Sequence, residues 1–166
     1  MNLRGCNKAT QLCPCGYYGD AITSCTCTPD QIQRYQSRLS GPFLDRIDLH
    51  LMMQREHPID GVFADKAGNE SSEAVRLRVE AARQCQLDRQ QASNAVLESD
   101  ALRRHSKLDA AARCLMQQAG ERLNLSLRAQ HRMLRVARTI ADLDTSEAIS
   151  KAHLMESLSY RRASSV

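Results

Sequence analysis

The sequence predicts a mainly α-helical chain with a C-terminal helical bundle over residues 71–166 and a smaller α/β part over residues 1–56. Three observations support this fold class. The C-terminal part repeats amphipathic stripes at helical spacing behind capping residues. Residues 28–51 (TPDQIQRYQSRLSGPFLDRIDLHL) combine one helix signal with one alternating, strand-like stretch. Residues 1–27 contain five of the seven cysteines of the chain.

The composition is that of an ordinary globular protein. Of 166 residues, 42% are hydrophobic but only 4% are aromatic and none is Trp, so the core must consist mainly of Leu, Ala, Val, Ile and Met. The net charge of +4 is uneven, because residues 101–166 hold 12 Lys/Arg against 6 Asp/Glu. This basic half is compatible with a polyanionic partner such as nucleotide or nucleic acid; the alternative is a solvated helical face.

The sequence contains no membrane or secretion signal. No apolar run is long enough to span a bilayer, and the start MNLRGCNKATQ has no apolar signal segment. We therefore expect a cytoplasmic protein with no membrane partner. An odd number of cysteines argues against a complete disulfide framework, and the cytosol would keep them reduced.

The cysteine-rich loop contains two C-x-C pairs, Cys13/Cys15 and Cys25/Cys27. Glycines between the pairs allow the chain to turn. Four thiolates in this arrangement can surround one tetrahedral Zn²⁺, which would fasten a loop too polar to hold itself together. The alternative is four reduced cysteines without a metal.

The α/β part contains one predicted helix and one predicted strand. Thr28 is a suitable N-cap and Pro29 suits the first helical position, so a helix should begin here and continue to about Leu39. Ser40-Gly41-Pro42 should stop it. Residues 47–51 alternate apolar and polar side chains like a strand.

A linker over residues 57–70 precedes the bundle. A helix of about twenty residues should begin at Ser71 or Ser72. Its predicted apolar face contains Ala74, Leu77, Ala81 and Cys85, widened by Val75, Val79 and Ala82. We therefore expect Cys85 to be buried. A shorter helix should follow near residues 98–105.

The next helix should begin at a capping box formed by Ser106 and Asp109. Its apolar stripe contains Leu108, Ala111, Ala112, Leu115, Met116 and Ala119. Gly120 or Asn124 should end it. Cys114 is predicted to pack rather than react.

A helix capped by Ser126 follows, with a core stripe of Met133, Val136, Ala137, Ile140 and Ala141. Arg128, Arg132 and Arg135 share a different face, where they should repel one another unless anions lie opposite. Arg138 lies off that row and is predicted to be structural. Asp144 and Glu147 should start the last helix, on whose surface we expect His153.

Several of these strings resemble one family. SGPFLDRIDLH (40–50), LRAQHRMLRVARTIADL (127–143), HLMESLSYR (153–161) and the cysteine-rich CPCGYYGD (13–20) are similar to segments of magnesium-chelatase-like AAA+ ATPases, in particular the bacterial ComM/YifB family. The resemblance implies an AAA+ core remnant followed by a helical lid domain. It also implies ATP and Mg²⁺ as cofactors, neighbouring subunits in a homo-oligomeric ring, a hexamer in the family, and a role in DNA remodelling, recombination or competence.

The resemblance also implies roles for individual arginines. Arg46 matches the arginine finger, which reaches the nucleotide of a neighbouring subunit; a guanidinium suits this role because it stays charged and its fork matches phosphate oxygens. The alternative is a surface arginine paired with Asp45 or Asp48. Arg128 matches sensor 2, which contacts the γ-phosphate, and Arg132 and Arg135 are candidate helpers.

The sequence departs from the family in two places. Gln11 occupies the place of the sensor 1 asparagine. The chain also contains no phosphate-binding G-x-x-x-x-G-K-[ST] loop and no strand ending in paired acids. Because the family carries both upstream, we expect this chain to be the C-terminal third of such an ATPase and to be inactive alone. The alternatives are a non-enzymatic nucleic-acid- or protein-binding helical module with a zinc-stapled N-terminal loop, or a zinc-stapled structural domain.

Overall fold

The structure is a computed structural model that describes residues 12–38, 47–51 and 70–161. These residues belong to two compact units. The first contains residues 12–38. The second contains residues 70–161 together with residues 47–51, which the sequence analysis assigns to the N-terminal part.

The first unit consists of the cysteine-rich loop and helix α1 (Pro29–Gln36). The helix begins as predicted: Thr28 is the N-cap, and its hydroxyl and the Gln31 side chain form a reciprocal capping box. The helix ends at Gln36, whereas the sequence predicts about Leu39. The side-chain amide of Gln36 donates to the backbone oxygen of Leu12 (3.1 Å), which joins the helix to the start of the loop.

The second unit is a helical bundle, so the predicted fold class is confirmed. Its described residues form helices α2 (Ser72–Gln90), α3 (Ser99–His105), α4 (Ala110–Arg122), α5 (Leu127–Leu143) and α6 (Lys151–Ser159), with a 3₁₀ turn at Asn94–Val96. Helix α5 is central, because it packs against α2, α3, α6 and the 3₁₀ turn. No helix within the described ranges is long and apolar enough to cross a membrane.

The core of the bundle is small and aliphatic, as the composition predicts. Helix α5 contributes Met133, Ala137 and Ala141 from its apolar face, and Val136 and Ile140 lie half-buried beside them. The other buried members of this cluster are Ala112, Ala119, Leu125, Ile149 and Leu154. Small side chains on α5 let neighbouring helices approach it closely.

The buried face of α2 differs from the prediction. Ala82 and Gln86 are its buried residues, whereas Leu77 and Cys85 are exposed. The helix carries two apolar rows, one with Leu77 and Cys85 and one with Val79 and Ala82, and of these residues only Ala82 is buried. Cys114 is also exposed, and its sulfur accepts a hydrogen bond from Gln118.

Two helix starts also differ from the prediction. Asp109 itself caps α4, with its carboxylate accepting from the Ala112 N–H (2.6 Å), because the preceding residues form a parallel bridge to Ile149. Helix α4 ends at Arg122, and Asn124 adopts the left-handed conformation that follows many helices. Ser150, rather than Asp144 or Glu147, caps α6.

His153 is buried, not on the helix surface as predicted. Its Nδ1 accepts from the Ser150 N–H (3.1 Å), which completes the capping box of α6. This bond leaves the proton on Nε2, which lies 3.0 Å from the Asp144 carboxylate. The side chain therefore joins the end of α5 to the start of α6.

The predicted strand at residues 47–51 is absent. Within the described part of the chain this segment has no strand beside it, and a strand needs a neighbour to satisfy its backbone groups. It lies instead against the helical unit, where the His50 N–H donates to the backbone oxygen of Tyr160 (2.8 Å).

Candidate functional site

The N-terminal half of α5 carries the arginine row that the sequence singles out. Ser126 caps the helix by accepting from the Ala129 N–H (3.3 Å), and this fixes where the first turn begins. Because Met133 and Ala137 anchor the helix in the core, the row formed by Arg128, Arg132 and Arg135 lies on a face outside the core stripe.

The structure gives the three arginines different surroundings. Arg135 donates through Nε and Nη2 to the backbone oxygen of Leu97 (3.0 and 2.7 Å). Arg132 is largely buried, with 15% of its side chain exposed, and pairs with the Asp48 carboxylate. Arg128 is exposed and has no hydrogen-bond or ion-pair partner among the described residues. Of the row, Arg128 is therefore the arginine whose whole guanidinium has no partner among the described residues, whereas Arg132 and Arg135 each use Nε and Nη2 on protein oxygens.

Arg138 is structural, as predicted. Its side chain is 1% exposed and pairs with Asp142, one turn further along α5. Its Nη1 also donates to the Glu147 oxygen (2.7 Å), and Nη2 donates to the Ser146 oxygen. The guanidinium thus satisfies the backbone of the loop between α5 and α6 and leaves no group for a ligand.

Asp142 is the centre of a polar network that the sequence analysis missed. Arg89 of α2 donates two hydrogen bonds to the Asp142 carboxylate (2.6 and 3.0 Å), and the Asn94 amide donates a third (2.7 Å). Arg138 and Asp142 stand four residues apart beside the core stripe of α5. In the sequence, the network could have been recognised from this charged pair, four residues apart on an otherwise apolar side of the helix.

Two predicted site residues, Arg46 and Gln11, lie outside the described residues. The segment that directly follows Arg46 is described, and it is held in place. The Ile47 oxygen accepts from Arg132 Nη2 (2.6 Å), and the Asp48 carboxylate pairs with the same guanidinium. Asp48, considered above as a partner for Arg46, thus has a partner on α5.

The four cysteines come together as predicted. The sulfur atoms of Cys13, Cys15, Cys25 and Cys27 all lie within 4.8 Å of one another. Cys13 and Cys15 are 3.4 Å apart, and Cys25 lies 3.7 Å from the first and 3.5 Å from the second. In a tetrahedral site with Zn–S bonds of about 2.3 Å, sulfur atoms would be about 3.8 Å apart. The cluster therefore has nearly the dimensions of a zinc site.

The loop backbone brings the two cysteine pairs together. Gly16 and Gly19 adopt positive φ angles (85° and 82°), which let the chain turn back after the first C-x-C pair. The Tyr18 N–H donates to the Cys13 sulfur (3.3 Å), which ties this turn to the first cysteine.

The pKa values within the cluster diverge. Backbone N–H groups of Tyr17 and Thr26 hold the pKa of the Cys15 thiol at about 5. A backbone hydrogen bond from Cys27 lowers the pKa of Cys25, but burial and the neighbouring sulfur atoms outweigh it and raise the pKa to about 12. The low pKa of Cys15 favours one thiolate in the cluster. The raised pKa of Cys25 means that a second thiolate there needs a cation nearby.

Sequence comparisons match both parts of the chain to one family. Residues 69–161 match the family described as magnesium chelatase, subunit ChlI C-terminal, and residues 6–60 match magnesium chelatase, subunit ChlI. The first match alone covers more than half of the chain.

The chain belongs to the magnesium chelatase ChlI family. YifB of Escherichia coli is 46% identical over 136 residues, and YifB of Salmonella typhimurium is 43% identical; each alignment covers 81% of this chain and 26% of the relative. Competence protein ComM of Haemophilus influenzae is 40% identical over 151 residues, covering 89% of this chain and 28% of ComM. The chain thus spans about a quarter of the length of these relatives and is a ComM/YifB-like member of the family.

The family assignment fits the two units. The C-terminal match begins just before α2 and ends with the last described residue, so it covers the helices of the second unit, including α5 and Arg128. The N-terminal match includes the cysteine cluster and α1. The residues of interest therefore lie within the matched parts of this magnesium chelatase family member.

Proposed function

We propose that this chain is part of an ATPase of the magnesium-chelatase-like type, in which Arg128 acts as the sensor 2 residue and contacts the γ-phosphate of ATP. The observation that carries the proposal is the contrast within the arginine row. Arg132 and Arg135 each donate through Nε and Nη2 to protein oxygens, whereas Arg128 is exposed and unpaired among the described residues. Unsatisfied guanidinium donors on a fixed helix suit recognition of a phosphate.

The proposal includes a second arginine that acts from the neighbouring subunit. Arg46 stands in the SGPFLDRIDLH string, which resembles the arginine-finger motif. In such an arrangement ATP lies between subunits of a ring, with Mg²⁺ on the phosphates, and the finger stabilises the charge that develops during transfer. The ligands of Mg²⁺ and the phosphate-binding loop would come from other parts of the ATPase, since this chain covers only 26% of YifB.

The proposed biological role draws on the name of one relative. One of them is named a competence protein. We propose that the assembled ATPase acts on DNA during competence or recombination, with the basic C-terminal half of this chain available to a polyanion. Binding that weakens steeply with added salt is the expected signature, because phosphate contacts release counterions.

We also propose a structural Zn²⁺ on Cys13, Cys15, Cys25 and Cys27. The sulfur separations fit a tetrahedral Zn–S₄ centre, and all four positions are taken by protein ligands. Such a closed site leaves no open position for a substrate. The ion would supply cohesion to a loop whose described helix, α1, has no buried residues.

The two arginine roles are tested in rings that contain the whole motor. The chain replaces the matching segment of E. coli YifB, and Arg46→Ala and Arg128→Ala are made in that chimera. Arg46→Ala should lower ATP turnover by about 10³–10⁵-fold while ATP binding persists. Arg128→Ala should lower turnover and also weaken ATP affinity, because its contact exists in the ground state.

Mixing the two variants in one ring shows on which side of the subunit interface each arginine acts. An Arg46→Ala subunit keeps a complete site of its own, and an Arg128→Ala subunit keeps a finger, so mixed rings should regain turnover. Arg113→Ala, which removes an exposed arginine of α4, is the matched control and should behave as the parent. Unchanged turnover and ATP affinity in Arg128→Ala would exclude the sensor 2 assignment.

A further inference from the structure

The four cysteines of the cluster differ in how far solvent reaches them. The Cys13 side chain is fully buried, whereas Cys15, Cys25 and Cys27 are half-buried. An oxidant in solution therefore reaches the last three sulfur atoms more readily than the first. Cysteine oxidation follows thiolate character and exposure, and a second thiol beside the first converts the product into a disulfide. The cluster supplies both accessible sulfur atoms and close neighbours for them.

Cys15 and Cys25 are an accessible pair well placed for a disulfide. Their sulfur atoms lie 3.5 Å apart, so a disulfide bond of about 2.05 Å needs an approach of about 1.5 Å. The chain between them turns at Gly16 and Gly19, where φ is positive. Cys13 lies as close to Cys15 (3.4 Å), but its sulfur is buried, and a bond within a C-x-C pair closes a ring around one intervening residue.

The remaining half-buried cysteine is tied to helix α1. Cys27 directly precedes Thr28, whose N–H donates to the Gln31 side chain (3.0 Å) and whose hydroxyl accepts from the Gln31 N–H (3.3 Å). The start of the helix therefore restrains the backbone beside Cys27. Cys25 lies two residues further from this cap, so its sulfur has more freedom to move toward Cys15.

A disulfide between Cys15 and Cys25 removes half of the ligands that a zinc ion would have here. Structural zinc sites are almost always four-coordinate, so the two remaining thiolates would hold the ion poorly. Helix α1 has no buried residues, and the Gln36 amide joins it to the Leu12 oxygen by one hydrogen bond (3.1 Å). The order of the loop should therefore depend on the oxidation state of its sulfur atoms.

We propose that Cys15 and Cys25 are a thiol-oxidation site, at which hydrogen peroxide forms a disulfide and expels the Zn²⁺. Whichever thiolate reacts first attacks one oxygen of the peroxide; the O–O bond breaks, hydroxide leaves and a sulfenic acid remains. The second thiolate then attacks that sulfur, the S–S bond forms and a second hydroxide leaves. The two sulfur atoms together lose two electrons, which the peroxide gains. The proposal rests on the proposed zinc site and adds a regulation to it.

Peroxide treatment of the 166-residue chain tests the proposal. Cys6→Ser, Cys85→Ser and Cys114→Ser are combined first, so that the cluster contains all the remaining cysteines. The chain is loaded with Zn²⁺ and given one equivalent of hydrogen peroxide, and a chromogenic chelator measures the metal released. We expect the loss of one Zn²⁺ per disulfide formed. Proteolytic cleavage before Asp20, between the two C-x-C pairs, should leave the halves of the loop linked until a dithiol reduces them.

The outcomes separate the oxidation site from the zinc site. Zinc that stays bound while the four thiols remain reduced would overturn the oxidation site and leave the zinc site standing. Halves that come apart without a reductant would also overturn it, because the disulfide would then lie within a C-x-C pair. A chain that binds no zinc before treatment would overturn the zinc site and the release that depends on it, whereas linked halves would still establish the thiol pair.

Single variants of the metal-free, reduced chain identify the two sulfur atoms. Cys15→Ser and Cys27→Ser each lack one proposed zinc ligand, but only Cys15→Ser lacks a member of the proposed pair. After peroxide treatment, the halves should link in Cys27→Ser as they do in the parent and should lose this linkage in Cys15→Ser. Equal linkage in both variants, or linkage lost only in Cys27→Ser, would overturn the assignment of the disulfide to Cys15 and Cys25.

Discussion

The Arg138 guanidinium and the Asp142 carboxylate pair in the interior of the helical unit, with 1% and 2% of their side chains exposed and 3.0 Å between Nη2 and Oδ1. Both stand on α5, one turn apart. Burying two charges costs several kcal/mol per ion unless every donor and acceptor is satisfied. The surroundings of this pair meet that condition.

The pair holds three parts of the fold together. Asp142 also receives Arg89 from α2 and Asn94 from the 3₁₀ turn, while Arg138 binds the loop that leads to α6. The backbone N–H of Asn94 in turn donates to the Gln86 side chain (3.2 Å). Since the aliphatic core is small, this network determines how α2 and the loop sit on α5.

Removal of Asp142 should destabilise the chain strongly. In Asp142→Ala, the guanidinium groups of Arg138 and Arg89 lose their common carboxylate, and one of them stays buried. Breaking a buried pair in this way typically costs about 3–5 kcal/mol. Urea unfolding followed by circular dichroism measures the loss. Lys107→Ala removes a solvent-exposed ion pair and should hardly move the midpoint; equal midpoints for both variants would contradict the network's role.

The network should also weaken in acid. Burial alone would raise the pKa of Asp142, but hydrogen bonds from Arg89 and Asn94 and the charge of Arg138 outweigh it, so the pKa lies below 3.8. A carboxyl whose folded pKa is depressed stabilises the fold fully above its unfolded pKa and loses that contribution as pH falls through the folded value. The difference in unfolding free energy between the parent and Asp142→Asn should therefore be constant above pH 5 and shrink below about pH 4. A difference that grows in acid would contradict the assignment.

Local features of the fold were predictable from the sequence. Thr28, Ser71 and Ser126 cap the helices that the sequence predicts, because an N-cap depends on residues within one turn. The apolar spacing of α5 correctly gave its core residues, since one dominant stripe leaves one choice of buried face. The four-cysteine cluster was predictable because both pairs lie in one short loop.

Features that depend on distant partners were not predictable. Helix α2 has two apolar rows, and only packing against α5 decides that Ala82 rather than Cys85 is buried. The strand at residues 47–51 needed a neighbouring strand, which local alternation cannot report. His153 joins two helices because its Nε2 contacts the carboxylate of Asp144, which lies nine residues earlier at the end of α5. The pattern of its own helix does not reveal this partner.

The cysteine cluster should bind one Zn²⁺ per chain, because its four sulfur atoms lie within 4.8 Å of one another, with separations of 3.4–3.7 Å among Cys13, Cys15 and Cys25, and the low pKa of Cys15 supplies a first thiolate. Elemental analysis of protein purified without chelator measures the stoichiometry. Cys25→Ser should lose the metal and expose the loop to protease, since the ion replaces the core that α1 lacks. Cys85→Ser and Cys114→Ser alter exposed cysteines outside the cluster and should keep the full complement of zinc. A chain that binds no zinc yet keeps the loop protected in Cys25→Ser would show that the thiols pack without a metal.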